Sequence, residues 1–348
     1  MTRCRQRPTP RAWRVAAATA VLVLLGGHPI PAQDAPPQPA QPFDTWLTAL
    51  IAEARDRGFA DDLIEAALAG LEPLERVIQS DRSQAELTPG FEQYRSRRMS
   101  DATVRQGREL GREHAALLSR IEQEYGVQRR FVLAIWGLES RFGAIQGRVP
   151  IFQALATLAW EPRRAAFFRG ELFNALTMVR RGHIDVATMT GSWAGAMGQT
   201  QFMPSSYLEY AQDFDGDGRR DIWTSTTDAL ASIANYLRAH GWTSRETWGR
   251  EVSVPPSART VIERDIPRRA SGCSARRDMT ERRPLADWDA MGLRLAGGAP
   301  LPTADLAAGL VDVGERQFLV YPNYDALLAY NCAHYYALTV TLLAERLR

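Results

Sequence analysis

The sequence contains no lysine: its 42 basic side chains are all arginine, set against 40 acidic ones in 348 residues. No functional reading attaches to that bias. The overall balance excludes more. Five arginines (Arg3, Arg5, Arg7, Arg11 and Arg14) precede the apolar run Val15 to Leu25, and without residues 1–32 the balance falls from 42 − 40 = +2 to 37 − 40 = −3. A basic nucleic-acid binder needs the positive excess that this chain lacks. Long apolar runs are also missing. The run at Val15 is short for a membrane span, so an uncleaved anchor is a weaker reading than an export signal cut near Ala32 in "HPIPAQ". Cysteine is scarce, and Cys4 lies upstream of the run, where it cannot serve as a lipid-modified N-terminus. Cys273 and Cys332 remain after export, which permits either one bridge or two buried thiols.

What is present reads as a mainly α, α+β protein of ordinary globular composition, with 45% hydrophobic and 24% charged residues. Residues 1–32 read as a signal peptide and the proline-rich 33–42, "QDAPPQPAQP", as an extended linker. Apolar residues three and four apart from Phe43, with breaks at Gly58, Gly70 and Thr88–Gly90, predict an N-terminal helical domain over 43–125. Its last helix is expected to run unbroken from Asp101 to Tyr125. Helices separated by glycine-rich turns continue over 126–242. Short apolar runs with prolines over 243–320 predict a small β-containing domain, and 321–348 returns to helix. There is no internal repeat and no coiled coil.

One acid stands out. In "FVLAIWGLESRFGA", Val132, Ile135, Trp136 and Glu139 fall at i, i+3, i+4 and i+7, so the carboxyl shares a helix face with three bulky apolar groups. Burial there disfavours the ionised form and lets a carboxylic acid keep a proton near neutral pH for delivery to a leaving oxygen. A structural acid paired with Arg141 or Arg148 fits the stripe as well. Further on, "GSWAGAMGQTQFMPSSY" gathers glycines that let backbone approach a ligand, and glutamine and serine that hydrogen-bond directionally. That mixture suits a sugar.

The motifs "WGLESRFG", "PRRAAFF", "GSWAGAMGQTQFMPSSY", "DFDGDGRRDIW", "ANYLRAHGW" and "YNCAHYYAL", in this order, resemble the B-type lytic murein transglycosylases from about Phe43 to the C-terminus. The resemblance implies a lysozyme-like helical core over 126–242 acting on the glycan strands of peptidoglycan, and the N-terminal export signal implies a periplasmic location. It places Glu139 as the sole catalytic acid. It puts Ser192 and Gln201 beside the sugar at the cleavage point, Tyr236, Tyr330 and Asn331 along the groove, and Arg163 and Arg164 near the muropeptide carboxylates. One departure is Ala333, where the family commonly carries a serine. Neither a nucleic-acid partner nor an organic cofactor is implied.

Glycosidases usually flank the scissile bond with two carboxyl groups. Glu161, Glu171 and Asp185 lie in the core segment without a comparable apolar setting. The lytic reaction implied by the resemblance removes that need, since the substrate's N-acetyl group can stabilise the anomeric carbon and its C6 hydroxyl can close on it. A hydrolytic muramidase on the same scaffold and a non-catalytic peptidoglycan-binding protein are the alternatives.

The loop "DFDGDGRRD" places Asp213, Asp215 and Asp217 at alternate positions with Gly218 sixth, as at the start of an EF-hand-type calcium loop; a solvated acidic turn is the alternative. The main-chain oxygen of Arg219 and the side chain of Asp221 are candidate further ligands. Thr224 stands where the usual glutamate closes the loop, and the resemblance points to Asp228 instead. Any such calcium is expected to be structural.

Overall fold

The computed structural model describes residues 39, 41–83 and 90–348, so the expected signal peptide and most of the linker lie outside the described residues. Helix begins where the sequence places it. The first seven helices are α1 (Phe43–Asp56), α2 (Asp61–Leu68), α3 (Glu75–Ser83), α4 (Phe91–Arg98), α5 (Asp101–Glu113), α6 (Ala115–Tyr125) and α7 (Arg129–Ser140). α1 buries Leu47, Leu50 and Ala54 on one face, and α5 starts at Ser100, whose hydroxyl accepts the Thr103 amide. The single helix expected over Asp101–Tyr125 is instead two, interrupted at His114 (φ −97°, ψ 20°), whose ring packs edge-on to Trp136 at 6.0 Å. A tertiary contact thus overrides an unbroken helical pattern.

A two-residue antiparallel pairing of β1 (Val149–Pro150) with β2 (Thr190–Gly191) brackets α8 (Ile151–Trp160) and α9 (Ala165–Arg180). Then come α10 (Pro204–Tyr210) and α11 (Thr226–Ala239). The next segment holds β3 (Gly249–Ser253), α12 (Pro256–Asp265), α13 (Ser274–Asp278), β4 (Arg283–Pro284), α14 (Leu285–Ala290), β5 (Arg294–Leu295), β6 (Ala307–Val313) and β7 (Arg316–Val320). Two helices, α15 (Pro322–Tyr330) and α16 (His334–Arg346), end the chain. The strands form one sheet in the order β4-β6-β7-β3-β5. Three helices in this segment were not expected. The apolar run with prolines "VSVPPSARTVIERDIPRR" reads as part of a sheet, yet Pro256 occupies the first turn of α12, where a missing amide costs nothing.

The hydrophobic interior falls into three clusters, and they do not follow the expected domain boundaries. α1 to α3 pack with α8 to α10, whereas α4 to α7 pack with α11, α15, α16 and one face of the sheet. The sheet is covered on both sides: Val311, Val313, Phe318 and Val320 face the helical core, while the alternating Leu310 and Leu319 join Ile262, Leu285 and Trp288 in the third cluster. Burial of both faces is why "FLV" reads as a continuous apolar run.

Two ties fix the α15–α16 corner. Asp325 of α15 receives Arg269 and Arg282, each at 2.9 Å, and Cys332 between the helices is bridged to Cys273, with Cα atoms 6.3 Å apart and 59 residues of separation. Of the two readings of the cysteine pair, the bridge is the one present. The Cys273→Ser/Cys332→Ser variant is expected to lose about 2–4 kcal/mol of stability in denaturant unfolding; coincident transitions for both proteins would contradict the bridge.

Candidate active site

α7 is buried along nearly its whole length, and Glu139 sits at its C-terminal end, partly buried. The chain then turns sharply: Arg141 (φ 49°) and Phe142 (φ 57°) are left-handed, and Gln201 (φ 52°) is the only other such non-glycine residue among the described residues. Each such conformation costs on the order of 1–3 kcal/mol and persists only where its surroundings impose it. Phe142 folds back on Gly137, where a Cβ would lie 2.7 Å from its ring, and meets Trp136 edge-on at 5.4 Å. Ser140 locks the turn by accepting the Gly143 amide at 2.9 Å.

The glycine-rich loop lies directly on this turn. At Gly147 (φ +87°) a Cβ would stand 2.1 Å from the Gly191 carbonyl carbon, so the two segments touch backbone to backbone. Glutamines stitch them together. Gln199 accepts from the Trp136 indole at 2.9 Å, Gln146 donates to the Trp223 carbonyl at 3.0 Å, and the Gln201 amide nitrogen donates to the carbonyls of Gln146 (3.1 Å) and Gly198 (2.9 Å). The Ser192 hydroxyl accepts the amides of Ala194 (3.3 Å) and Ala196 (3.1 Å). Ser192 and Gln201 therefore hold the loop itself together.

Aromatic residues complete the surroundings. Tyr330 donates to the Thr200 carbonyl at 2.7 Å and Tyr236 to the Ala329 carbonyl at 2.8 Å, with the two rings 4.8 Å apart. Asn331, next along the chain, is exposed. The hydroxyl of the buried Tyr336 of α16 makes no hydrogen bond among the described residues but lies near enough to Glu139 to favour its ionised form, and Tyr94 and Tyr330 also feel its charge. Burial pushes the Glu139 carboxyl up to about 7, although the Tyr336 hydroxyl and the positive charge of Arg98 favour its ionised form. Neither Arg141 nor Arg148 forms an ion pair with it among the described residues, so the structural-acid reading loses its partners. Two of the other core acids are committed elsewhere: Glu161 pairs with Arg82 at 2.9 Å, and Glu171 accepts the Ser205 amide and hydroxyl at 2.8 and 2.6 Å.

Arg163 and Arg164 lie apart from this cluster. They clasp Asp81 of α3, Arg163 at 2.6–2.7 Å and Arg164 at 2.5 Å. Burial raises the Asp81 carboxyl, but the two guanidiniums outweigh it and hold the acid below its ordinary range. No contact joins the pair to Glu139 among the described residues.

In the acidic loop, carboxylate oxygens of Asp213, Asp215 and Asp217 all lie within 4.8 Å of one another. Asp221 and Asp228 stand outside that group. Asp228 is buried at the start of α11 and accepts the Phe214 and Asp221 amides at 2.8 and 2.9 Å, while Asp221 accepts the Trp223 and Thr224 amides at 2.8 Å. Both therefore act as loop staples. Three converging hard oxygen donors fit calcium.

Sequence reasoning missed Tyr336, Tyr94, Arg98, Gln146 and Gln199. Only Gln199 and Gln146 carried a signal, as polar residues in glycine-rich turns. The others come from α4 and α16, far apart in sequence.

The sequence matches the profile described as "Transglycosylase SLT domain" over residues 42–345. The chain belongs to this transglycosylase family. It is 33% identical over 303 residues to membrane-bound lytic murein transglycosylase B of Escherichia coli K12, covering 83% of this chain and 78% of that protein. The fold matches SltB3 of Pseudomonas aeruginosa, solved with NAG-anhNAM-pentapeptide, with TM-score 0.78 and 38% identity over 87% of this chain and 79% of that one. It also matches E. coli Slt35, solved with calcium, with TM-score 0.71 and 31% identity over 86% and 92%. This family member is thus a peptidoglycan-cleaving lyase with a lysozyme-like fold. Among the described residues no helix is long and apolar enough to cross a membrane.

Proposed function

We propose that the chain cleaves the MurNAc–GlcNAc β-1,4 bond of peptidoglycan without water, leaving 1,6-anhydro-MurNAc ends, with Glu139 acting first as acid and then as base. The supporting observation is a single carboxyl raised to about 7, influenced by a tyrosine hydroxyl and an arginine but by no second carboxylate among the described residues. Protonated Glu139 gives its proton to the glycosidic oxygen as the bond to the anomeric carbon breaks, and the GlcNAc O4 leaves as a hydroxyl. The substrate's N-acetyl oxygen stabilises that carbon, as in substrate-assisted glycosidases. The carboxylate then takes the proton of the C6 hydroxyl while its oxygen closes on the anomeric carbon. Every atom comes from substrate. Digestion in 18O-labelled water followed by mass spectrometry should give products one water lighter than hydrolytic ones and free of label. Labelled reducing ends would favour a hydrolytic muramidase instead.

In this reading Ser192, Gln201, Tyr236, Tyr330 and Asn331 shape the sugar-binding wall. Loop rigidity is their main contribution, since their polar groups largely bind backbone. Arg163 and Arg164, preset by Asp81, meet the muropeptide carboxylates further along the strand. The chain works in the periplasm, which fits an exported peptidoglycan-cleaving enzyme, and Slt35's calcium complex supports a structural calcium in the Asp213–Asp217 loop. A chelator is expected to lower the thermal midpoint by several degrees, because a ligand at a hundred times its Kd contributes about 2.7 kcal/mol. An unchanged midpoint would remove the calcium site.

A further inference from the structure

Away from Glu139, a cavity of about 560 Å³ opens between α5, the start of α7 and the end of α16. Arg108, Arg112, Arg129, Arg130 and Arg348 all line it, together with one acid, Glu122. Glu345, which is not among the lining residues, pairs with Arg348 at 2.5 Å. Compensation is incomplete. Arg129 lies 3.9 Å from Glu122 and Arg130 lies 3.7 Å from Glu345, both beyond hydrogen-bond length, and Arg112 has no ion pair among the described residues. The Nε of Arg130 is buried without a hydrogen-bond partner among the described residues.

A second observation points the same way. Arg129 and Arg130 occupy the first turn of α7, which contains no acid. The amino end of a helix is its positive pole, so cations there are placed against the dipole, where anions are favoured. Helix stability does not explain this placement. An anion in the cavity would neutralise the dipole and the guanidiniums together.

We propose that this cavity binds a phosphate-bearing ligand at a site separate from the glycan-cleaving centre. Phosphate is favoured over carboxylate because several guanidinium forks converge on one hollow: a phosphate offers three or more oxygens and up to two charges at one centre, whereas one carboxylate satisfies one fork. The cavity exceeds the needs of a bare phosphate, and Leu133, Ala115 and Leu347 provide an apolar wall for an attached body. Free organic phosphates and phospholipid headgroups share this chemistry.

The test uses the full mature chain and its Arg112→Gln/Arg129→Gln variant, whose two side chains are exposed. Calorimetric titration at low salt with inorganic pyrophosphate should show saturable binding to the parent protein, weakened at least tenfold in the variant. Thermal midpoints and peptidoglycan cleavage should be the same for both, so this readout stands or falls independently of the proposed reaction. Flotation with phosphatidylglycerol-containing and pure phosphatidylcholine vesicles separates the sources. Arginine-dependent flotation on the former alone assigns a headgroup; pyrophosphate binding without flotation assigns a free phosphate. Absence of saturable pyrophosphate binding, equal affinity in the variant, or citrate bound as tightly as pyrophosphate would each overturn the proposal.

Discussion

Glu139→Gln is expected to lower peptidoglycan cleavage by about 10²–10⁴-fold, the usual contribution of a positioned acid or base, and toward the upper end because both proton transfers use this group. Glutamine keeps the shape but can neither give nor accept the proton. The loss should not come from unfolding. Raising a carboxyl from 4.5 to about 7 corresponds to roughly 3 kcal/mol, an upper bound because the side chain is partly exposed. A folded-state pKa above the unfolded one means that stability present at low pH is lost as pH rises through the folded value. Above pH 7 the variant, which carries no buried charge, should therefore be at least as stable as the parent, as is common where an active group is held at a cost to the fold. Turbidity clearing of purified sacculi, with thermal unfolding alongside, checks both statements. Retention of most turnover would end the assignment.

The second large effect is on pH dependence. The first step needs Glu139 protonated, so kcat/KM should fall about tenfold per pH unit on the alkaline side of a limb near 7. Tyr336 supplies the control. Its hydroxyl favours the ionised carboxylate and so draws the pKa down, whereas burial draws it up more strongly. Tyr336→Phe keeps the burial and removes the hydroxyl, so the limb should move to higher pH. A purely structural role for Tyr336 would lower the rate without moving the limb. Movement to lower pH would contradict this role of the hydroxyl.

Much of this was legible in the chain because it depends on local spacing. The stripe Val132, Ile135, Trp136 and Glu139 declares an acid on a buried face, and the alternating aspartates declare a possible cation loop. The sheet showed itself in "FLV", although burial of both faces hid its alternation. Other features escaped for stated reasons. Pro256 starts a helix as readily as it breaks a strand, so α12 was hidden, and the break at His114 rests on a ring contact with Trp136. The grouping of α1 to α3 with α8 to α10 arises from packing between distant segments. At the site, Glu139 could be identified but its neighbours could not, since Tyr336 and Arg98 reach it from helices about two hundred and forty positions apart in the chain. The Asp81 clasp on Arg163 and Arg164 likewise joins residues more than eighty positions apart.

A carboxyl titration measures the central quantity itself. With glutamate side chains labelled with carbon-13 and Glu139→Gln used to assign the resonance, the Glu139 carboxyl should titrate near pH 7 in the free enzyme, well above exposed glutamates in the same spectrum. Titration of that signal in the ordinary range around 4.5 would mean that the acid is already ionised under working conditions and cannot deliver the first proton.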